Sequence, residues 1–182
     1  MTRAYVMQGP GAGRVEEIPP PRLSPYDAVV RMRVCGICNT TDRMVRDGVY
    51  PSEIAFPSIL GHESVGEVVD VGPRVRTLRI GQLVTRPSAY PLDDAPVAQN
   101  WGGLSEGGVV RDVRAMIEDG VADELTWLAR QQCVLDDGDA ALAALAISVS
   151  EVVSIARPVS LPTARVVVIG TDIAGLSLTM LA

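Results

Sequence analysis

The feature that most constrains the fold is a series of short, strand-like runs interrupted by glycine and proline within residues 1 to about 115. These runs lie at residues 3–7, 28–34, 64–71 and 83–86. In the second run, Val30, Met32 and Val34 alternate with Arg31 and Arg33, which predicts a strand with one face in solvent. Strands at this spacing favour a compact β-barrel.

Helices are predicted after this region, because apolar and alanine-rich stretches replace the alternating runs. The predicted helices cover residues 112–118, 124–130 and 139–155. The last of them has Asp139 at its start and is ended by Pro158 and Pro162. Residues 86–106 carry Pro, Asp, Asn and Gly without periodicity, which predicts a long surface loop. The predicted fold class is therefore mainly β with α.

The final segment has the pattern of a single strand, turn and helix. Ala164 to Ile169 is a continuous apolar run of the kind found in buried parallel strands. Gly170 to Gly175 is a glycine turn, and Leu176 to Leu181 begins another helix. We therefore predict one βα unit at this end of the chain.

The composition limits the partners that the chain is expected to have. Its net charge is −6, with 47% hydrophobic residues, and its pI is about 4.8. An acidic surface argues against binding to nucleic acid or to an anionic membrane. The N-terminus has no signal-peptide pattern, and the odd number of cysteines, 3 in all, argues against a disulfide framework. We expect a cytoplasmic protein.

One group of residues carries donor atoms for a metal ion. Cys38 follows the 28–34 run, and His62 and Glu63 precede the 64–71 run. Thiolate, imidazole and carboxylate are the usual zinc donors, and a barrel could bring them together. Because His62 is the only histidine, any site must be mixed. A buried structural cysteine and a hydrogen-bonded histidine are the alternative explanation.

The residues around this histidine resemble a known family signature. Gly61-His62-Glu63 is followed by Gly66 and Gly72 in a β-branched run, which resembles the signature of the zinc-type alcohol dehydrogenases of the medium-chain dehydrogenase/reductase superfamily. Residues 57–63 resemble its lead-in, residues 34–38 its first-ligand segment, and residues 102–106 the segment that closes its barrel. The resemblance implies a GroES-like catalytic barrel over residues 1–157 and a truncated Rossmann domain over residues 158–182.

The resemblance also implies roles for individual residues. Cys38 and His62 would bind a catalytic zinc, and Glu63 would ligate in some states or lie beside the site. Asp42 would orient His62. The segment after Cys38 is one residue longer than the family's usual pattern, so the hydroxyl that relays the substrate proton would be either Thr40 or Thr41.

Two departures from the family affect the predicted metal content. The family's third zinc ligand would fall near Ala143, Ala144 or Ile147, which cannot bind metal. Nearby candidates could substitute only with a backbone shift, and these are Cys133, Asp136, Asp137 and Asp139. Residues 86–106 contain no cysteine, so we predict one catalytic-type zinc and no structural zinc.

The glycine turn resembles the one that binds a dinucleotide pyrophosphate in a Rossmann fold, with Gly170 and Gly175 as weak candidates for cofactor contact. Asp172 replaces the middle glycine, and a carboxylate there would repel pyrophosphate. The acidic residue that would hold the ribose, about 20 residues further on, lies beyond Ala182. We therefore expect NAD(P) as the family's cofactor but do not expect this chain to bind it alone.

Three functions follow as hypotheses. The first is an alcohol or carbonyl oxidoreductase, seen as a fragment or as half of a split enzyme, with a small-molecule alcohol or carbonyl substrate. The second is a trimmed zinc enzyme without redox chemistry, such as a lyase, isomerase or hydrolase. The third is a non-catalytic relative that binds or assembles, with residues 164–182 joining a second copy or a partner chain.

Overall fold

Two antiparallel sheets and four helices make up the part of the chain that the structure describes. The computed structural model describes residues 1–19, 23–88 and 102–156. The strands are β1 (Thr2–Gly9), β2 (Ala12–Ile18), β3 (Asp27–Gly36), β4 (Ser58–Ile59), β5 (Glu63–Val71), β6 (Leu83–Thr85), β7 (Gly107–Arg111) and β8 (Val134–Leu135). The helices are α1 (Thr41–Arg46), α2 (Val113–Glu118), α3 (Trp127–Gln131) and α4 (Ala140–Ala156).

The larger sheet positions the candidate site. Its five strands run in the order β7-β3-β5-β6-β8, and the smaller sheet has the order β2-β1-β4. The last residue of β3, Gly36, lies opposite the first residue of β5, Glu63. Cys38 therefore leaves the sheet at the same edge at which His62 enters it.

The alternation predicted for the second run is confirmed. Val30 is buried in a cluster with Val68 and Val84, and Met32 packs against this cluster. Arg31 and Arg33 lie on the other face and pair with the Glu67 carboxylate, at 3.0 Å and 2.9 Å. Burial of branched side chains on one face stabilises the sheet, and the paired charges lie on the solvent-exposed face.

The predicted helices near residues 112 and 139 are confirmed, together with the residues that begin them. The Asp112 carboxylate accepts the backbone N–H of Ala115 at 2.9 Å, and Asp139 accepts that of Ala141 at 2.7 Å. Both bonds satisfy N–H groups that a helix leaves open at its N-terminus. The helix predicted at 124–130 begins later, at Trp127, because the hydroxyl of Thr126 accepts the Ala129 N–H at 3.2 Å.

Several short elements were not predicted. Helix α1 has only 6 residues and shows no clear apolar period. Strand β2 is an edge strand whose residues are mostly exposed, so it lacks the apolar alternation that marks a half-buried strand. Strands β4 and β8 have 2 residues each and exist only through pairing with distant strands. Such elements depend on tertiary contacts rather than on local sequence.

Parts of the predictions lie outside the described residues. These are most of the loop at 86–106, the strand at 164–169, the glycine turn at 170–175 and the helix at 176–181. The proposed boundary between residues 157 and 158 lies there as well. None of the helices within the described ranges has the length and hydropathy needed to span a membrane.

Candidate metal centre

Three metal-ligand side chains converge at the edge of the larger sheet. One donor atom from each of Cys38, His62 and Glu63 lies within 4.8 Å of the others. His62 is buried, and the other two are half-buried. The pairing of β3 with β5 produces this arrangement, because residues just beyond one strand and at the start of the other meet at one edge.

Asp42 connects the cysteine to the histidine. Its Oδ2 atom accepts the backbone N–H of Cys38 at 2.9 Å, and its Oδ1 atom lies 3.6 Å from Nδ1 of His62. The carboxylate is buried and belongs to the first turn of α1. Asp42 therefore fixes the Cys38 backbone and faces the imidazole nitrogen at the same time.

The two threonines occupy different environments. Thr41 is half-buried, lines the same cleft as His62, and donates its backbone N–H to Sγ of Cys38 at 3.3 Å. Thr40 precedes α1, is exposed, and makes no side-chain bond that caps the helix. Of the two threonines, Thr41 lines the cleft.

Cys35 lies close to the site but is not one of the three converging donors. Burial, with smaller contributions from the negative charges of Asp42 and Glu63, raises the pKa of the Cys35 thiol to about 12. The group therefore stays protonated at neutral pH, and its Sγ is 3.2 Å from the Gly36 carbonyl oxygen. Cys38 is the thiol whose sulfur converges with His62 and Glu63, so Cys38 is the candidate ligand of the two.

Helix α4 presents no ligand where the family's third one is expected. Ala143 and Ala144 pack against Val65 and Leu83, and Ile147 is buried as well. Two upstream carboxylates are occupied elsewhere. Asp136 accepts hydrogen bonds from Arg79 and Gln82 at 2.8 and 2.7 Å, and Asp139 caps α4. Within residues 1–19, 23–88 and 102–156, only Cys38, His62 and Glu63 form a group of three potential ligands.

Ser148 is a residue of the site that the sequence analysis did not identify. Its hydroxyl donates a hydrogen bond to Oε1 of Glu63 at 2.8 Å. Its position in the sequence could have identified it, because Ser148 lies one helical turn after Ala144 and so shares the helix face that is turned to the site. A search of that face for metal ligands alone passes over a hydroxyl that contacts a ligand.

A cleft of about 860 Å³ opens beside His62, which is the one of the three donors that lines it. Its walls include Thr41, His62, Arg86 and residues of α3 and α4. The buried Arg86 guanidinium forms an ion pair with Glu151 and donates a hydrogen bond to Gln131. The volume is in the range of sites for small molecules, so a small substrate can lie against His62.

The fold and this site together define a class of protein. Mixed sulfur, nitrogen and oxygen donors next to an open cleft, here lined by His62, are typical of catalytic zinc sites, which keep one coordination position free. Structural zinc sites use four closed ligands instead. The described part of the chain is thus a mainly β domain with a catalytic-type candidate metal site.

The comparisons identify the family. Residues 24–135 match the alcohol dehydrogenase GroES-like domain, and this segment is more than half of the chain. The protein therefore belongs to the zinc-type alcohol dehydrogenases of the medium-chain dehydrogenase/reductase superfamily. The resemblance seen in the Gly61-His62-Glu63 segment is confirmed.

Curated relatives match about half of this chain. A Mycobacterium tuberculosis protein described as a probable zinc-binding alcohol dehydrogenase is 43% identical over 83 residues, which cover 45% of this chain and 21% of the relative. An alcohol dehydrogenase of Geobacillus stearothermophilus is 37% identical, with 50% and 26% covered. The matched segments thus span about a quarter of these relatives.

Solved structures share the fold. The 2R,3R-butanediol dehydrogenase of Bacillus subtilis superposes with a TM-score of 0.65 at 24% identity, covering 88% of this chain and 48% of that one. At this identity the likeness concerns the fold alone. It confirms the predicted class, a mainly β barrel domain with helices.

Proposed function

We propose that this chain is the zinc-binding catalytic part of an oxidoreductase that acts on a small alcohol or carbonyl compound. The observation that carries the proposal is the convergence of Cys38, His62 and Glu63 within 4.8 Å in a family whose relatives include zinc-binding dehydrogenases. In this proposal, these three side chains hold one zinc ion.

The donor set fits zinc. A thiolate, an imidazole and a carboxylate are all common zinc ligands, and three protein ligands leave a fourth position for water or substrate. Zinc, when bound, supplies a Lewis acid that polarises an alcohol or carbonyl oxygen. Glu63 takes the place of the ligand missing from α4. The third ligand is then the residue next to His62 in the sequence and not a residue of a distant helix.

The remaining residues of the site orient the ligands and move a proton. Asp42 faces Nδ1 of His62 at 3.6 Å, and a carboxylate that closed this distance to a hydrogen bond would set the tautomer and ring orientation of a ligating histidine. Thr41 lines the cleft, and its hydroxyl would accept the proton of a substrate hydroxyl and pass it towards solvent. Thr40 does not line the cleft and is assigned no role.

The hydride acceptor of the proposed reaction is NAD(P), bound by the nucleotide-binding domain of the whole protein. Gly170 and Gly175 are the residues of this chain proposed to contact it, and both lie outside the described residues. The chain alone is expected to bind zinc but not the nucleotide, because Asp172 would face the pyrophosphate.

Zinc analysis combined with nucleotide titration tests the proposal. The purified chain should contain one zinc per chain by elemental analysis, and both Cys38→Ser and His62→Ala should lose it. A Cys133→Ser variant is the matched control, because this exposed thiol is not one of the three donors. A wild-type protein with substoichiometric zinc would overturn the proposal.

NAD(P)H titration then separates the remaining hypotheses. Zinc without nucleotide binding by the whole protein would favour a zinc enzyme without redox chemistry. Binding of neither zinc nor nucleotide would favour a relative that binds or assembles.

Self-association through residues 164–182 remains a prediction. If it is right, the full chain should sediment as an oligomer and a chain ending at residue 163 as a monomer.

A further inference from the structure

The Glu63 carboxylate is held from two sides by groups that are not metal ligands. Its Oε1 atom accepts the hydrogen bond from the Ser148 hydroxyl at 2.8 Å. Its Oε2 atom lies over Gly36, where a Cβ would be 2.7 Å from that oxygen. Gly36 is also the partner of Glu63 in the pairing of β3 with β5. The carboxylate therefore occupies a defined space between a strand and a helix.

The helix that carries Ser148 packs on the strands that carry the site. Its buried residues Ala143 and Ala144 contact Val65 of β5. Ser148 lies one turn after Ala144, on the same face of the helix. This face contributes no ligand atom, and its polar contact with the site is the bond from Ser148 to Glu63.

We propose that Ser148 is a positioning residue that keeps Glu63 in place as a permanent zinc ligand, and that Gly36 leaves the room for its carboxylate. This inference rests on the proposed zinc site. A free glutamate side chain loses rotamer entropy when it is fixed. A hydroxyl that already orients the carboxylate lowers the part of this cost that zinc binding must offset.

Zinc affinity measured by competition with a chromophoric chelator tests the inference on the full chain. Ser148→Ala should weaken zinc binding about 10- to 100-fold, the usual effect of removing a partner that orients a ligand. Ser154→Ala is the matched control on the same helix, because its hydroxyl bonds back to the Ser150 carbonyl at 2.9 Å. That variant should keep wild-type affinity.

A second background separates positioning from general stability. In Glu63→Gln, whose own affinity is lower, adding Ser148→Ala should cause no further loss, because no charged carboxylate is left to orient. Cobalt(II) in place of zinc gives an independent readout. Its visible absorption should change in Ser148→Ala and return to the wild-type spectrum in Ser148→Thr, which keeps the hydroxyl.

Gly36→Ala provides a second variant in case Ser148→Ala fails to fold. Its added Cβ would displace the carboxylate from the other side, so zinc binding should again weaken. Wild-type zinc affinity in Ser148→Ala, or an equal loss in the Glu63→Gln background, would overturn this inference alone. A wild-type chain that binds no zinc would overturn both the inference and the proposed function.

Discussion

At the scale of single residues, the site depends on a glycine that no other residue can replace without strain. Gly61 precedes His62 and has φ of 96°, in the region that side chains disfavour. A Cβ there would lie 2.6 Å from Sγ of Cys35 and 2.8 Å from the backbone nitrogen of Leu104. This glycine allows the chain to turn into β5 while its backbone lies close to Cys35 and Leu104.

Gly61→Ala should therefore destabilise the protein more than the same substitution at a glycine that has a positive φ but no close neighbours. Gly81→Ala is the control, since Gly81 has φ of 92° but no atom within 4 Å of the added Cβ. We expect Gly81→Ala to cost about 1 to 2 kcal/mol and Gly61→Ala about 1 to 3 kcal/mol more. Urea unfolding followed by circular dichroism measures both, and equal losses would contradict the assigned close contact.

The two threonines give a second prediction at this scale. Thr41→Val should lower kcat for alcohol oxidation by the whole enzyme at least about 100-fold, because a positioned proton carrier contributes about that much. Thr40→Val should leave kcat close to wild type, since this side chain is exposed. The opposite ranking in a steady-state assay would assign the relay to Thr40.

At the scale of elements, a buried carboxylate joins the loop before β6 to α2. Asp112 accepts the backbone N–H groups of Arg76 and Thr77, each at 2.7 Å, besides the Thr77 hydroxyl at 2.8 Å and the Ala115 N–H that caps the helix. Burial alone would raise the pKa of Asp112, but these hydrogen bonds together lower it below its ordinary value of 3.8. The loop before β6 and the start of α2 are thus held by one charge.

This charge predicts a specific dependence of stability on pH. A carboxyl whose pKa is lowered by folding stabilises the protein fully above its unfolded pKa, and this contribution is lost as pH falls through the folded pKa. We therefore expect the free energy of unfolding to decline below about pH 4. Asp112→Asn should be less stable at pH 7 by about 2 to 3 kcal/mol.

The difference between the wild type and Asp112→Asn should shrink as the pH is lowered from 4 towards 2, because the wild-type carboxyl becomes neutral as well. Unfolding curves at a series of pH values measure it. Asp123→Asn, at an exposed position, is the control and should follow the wild type throughout. A difference that stays constant below pH 4 would contradict the role assigned to this carboxyl.

At the scale of the whole molecule, the candidate site connects elements far apart in the chain. Cys38 follows β3, Glu63 begins β5, and Ser148 belongs to α4. An ion held by the first two would couple the loop before α1 to the sheet, and through Ser148 to the helix packed on that sheet. Metal binding should therefore stabilise the fold as a unit.

Zinc at a hundredfold excess over its dissociation constant should raise the free energy of unfolding by about 2.7 kcal/mol. Chelation should reverse the gain, and His62→Ala should show none of it. Cys133→Ser should keep the full effect. Thermal melts with and without zinc measure this, and a zinc-dependent gain that persists in His62→Ala would place the ion elsewhere.

The sequence was sufficient for the features whose cause is local. The alternation around Val30 and the caps at Asp112 and Asp139 depend on neighbouring residues, and the structure confirms them. It was insufficient where an element exists only through distant contacts. Strand β8 has 2 residues and pairs with β6, so no local pattern could reveal it.

What the sequence determined by itself is the family and the available chemistry. Gly61-His62-Glu63 and its glycine spacing identify the family, and the alanines of α4 show that no ligand comes from the expected positions. Only the tertiary structure decided which groups meet. The pairing of β3 with β5 brings Cys38 to His62, the start of α1 turns Thr41 rather than Thr40 to the cleft, and the packing of α4 brings Ser148 to Glu63. These contacts join residues up to 85 positions apart, and their distances depend on register and packing, which no local pattern encodes.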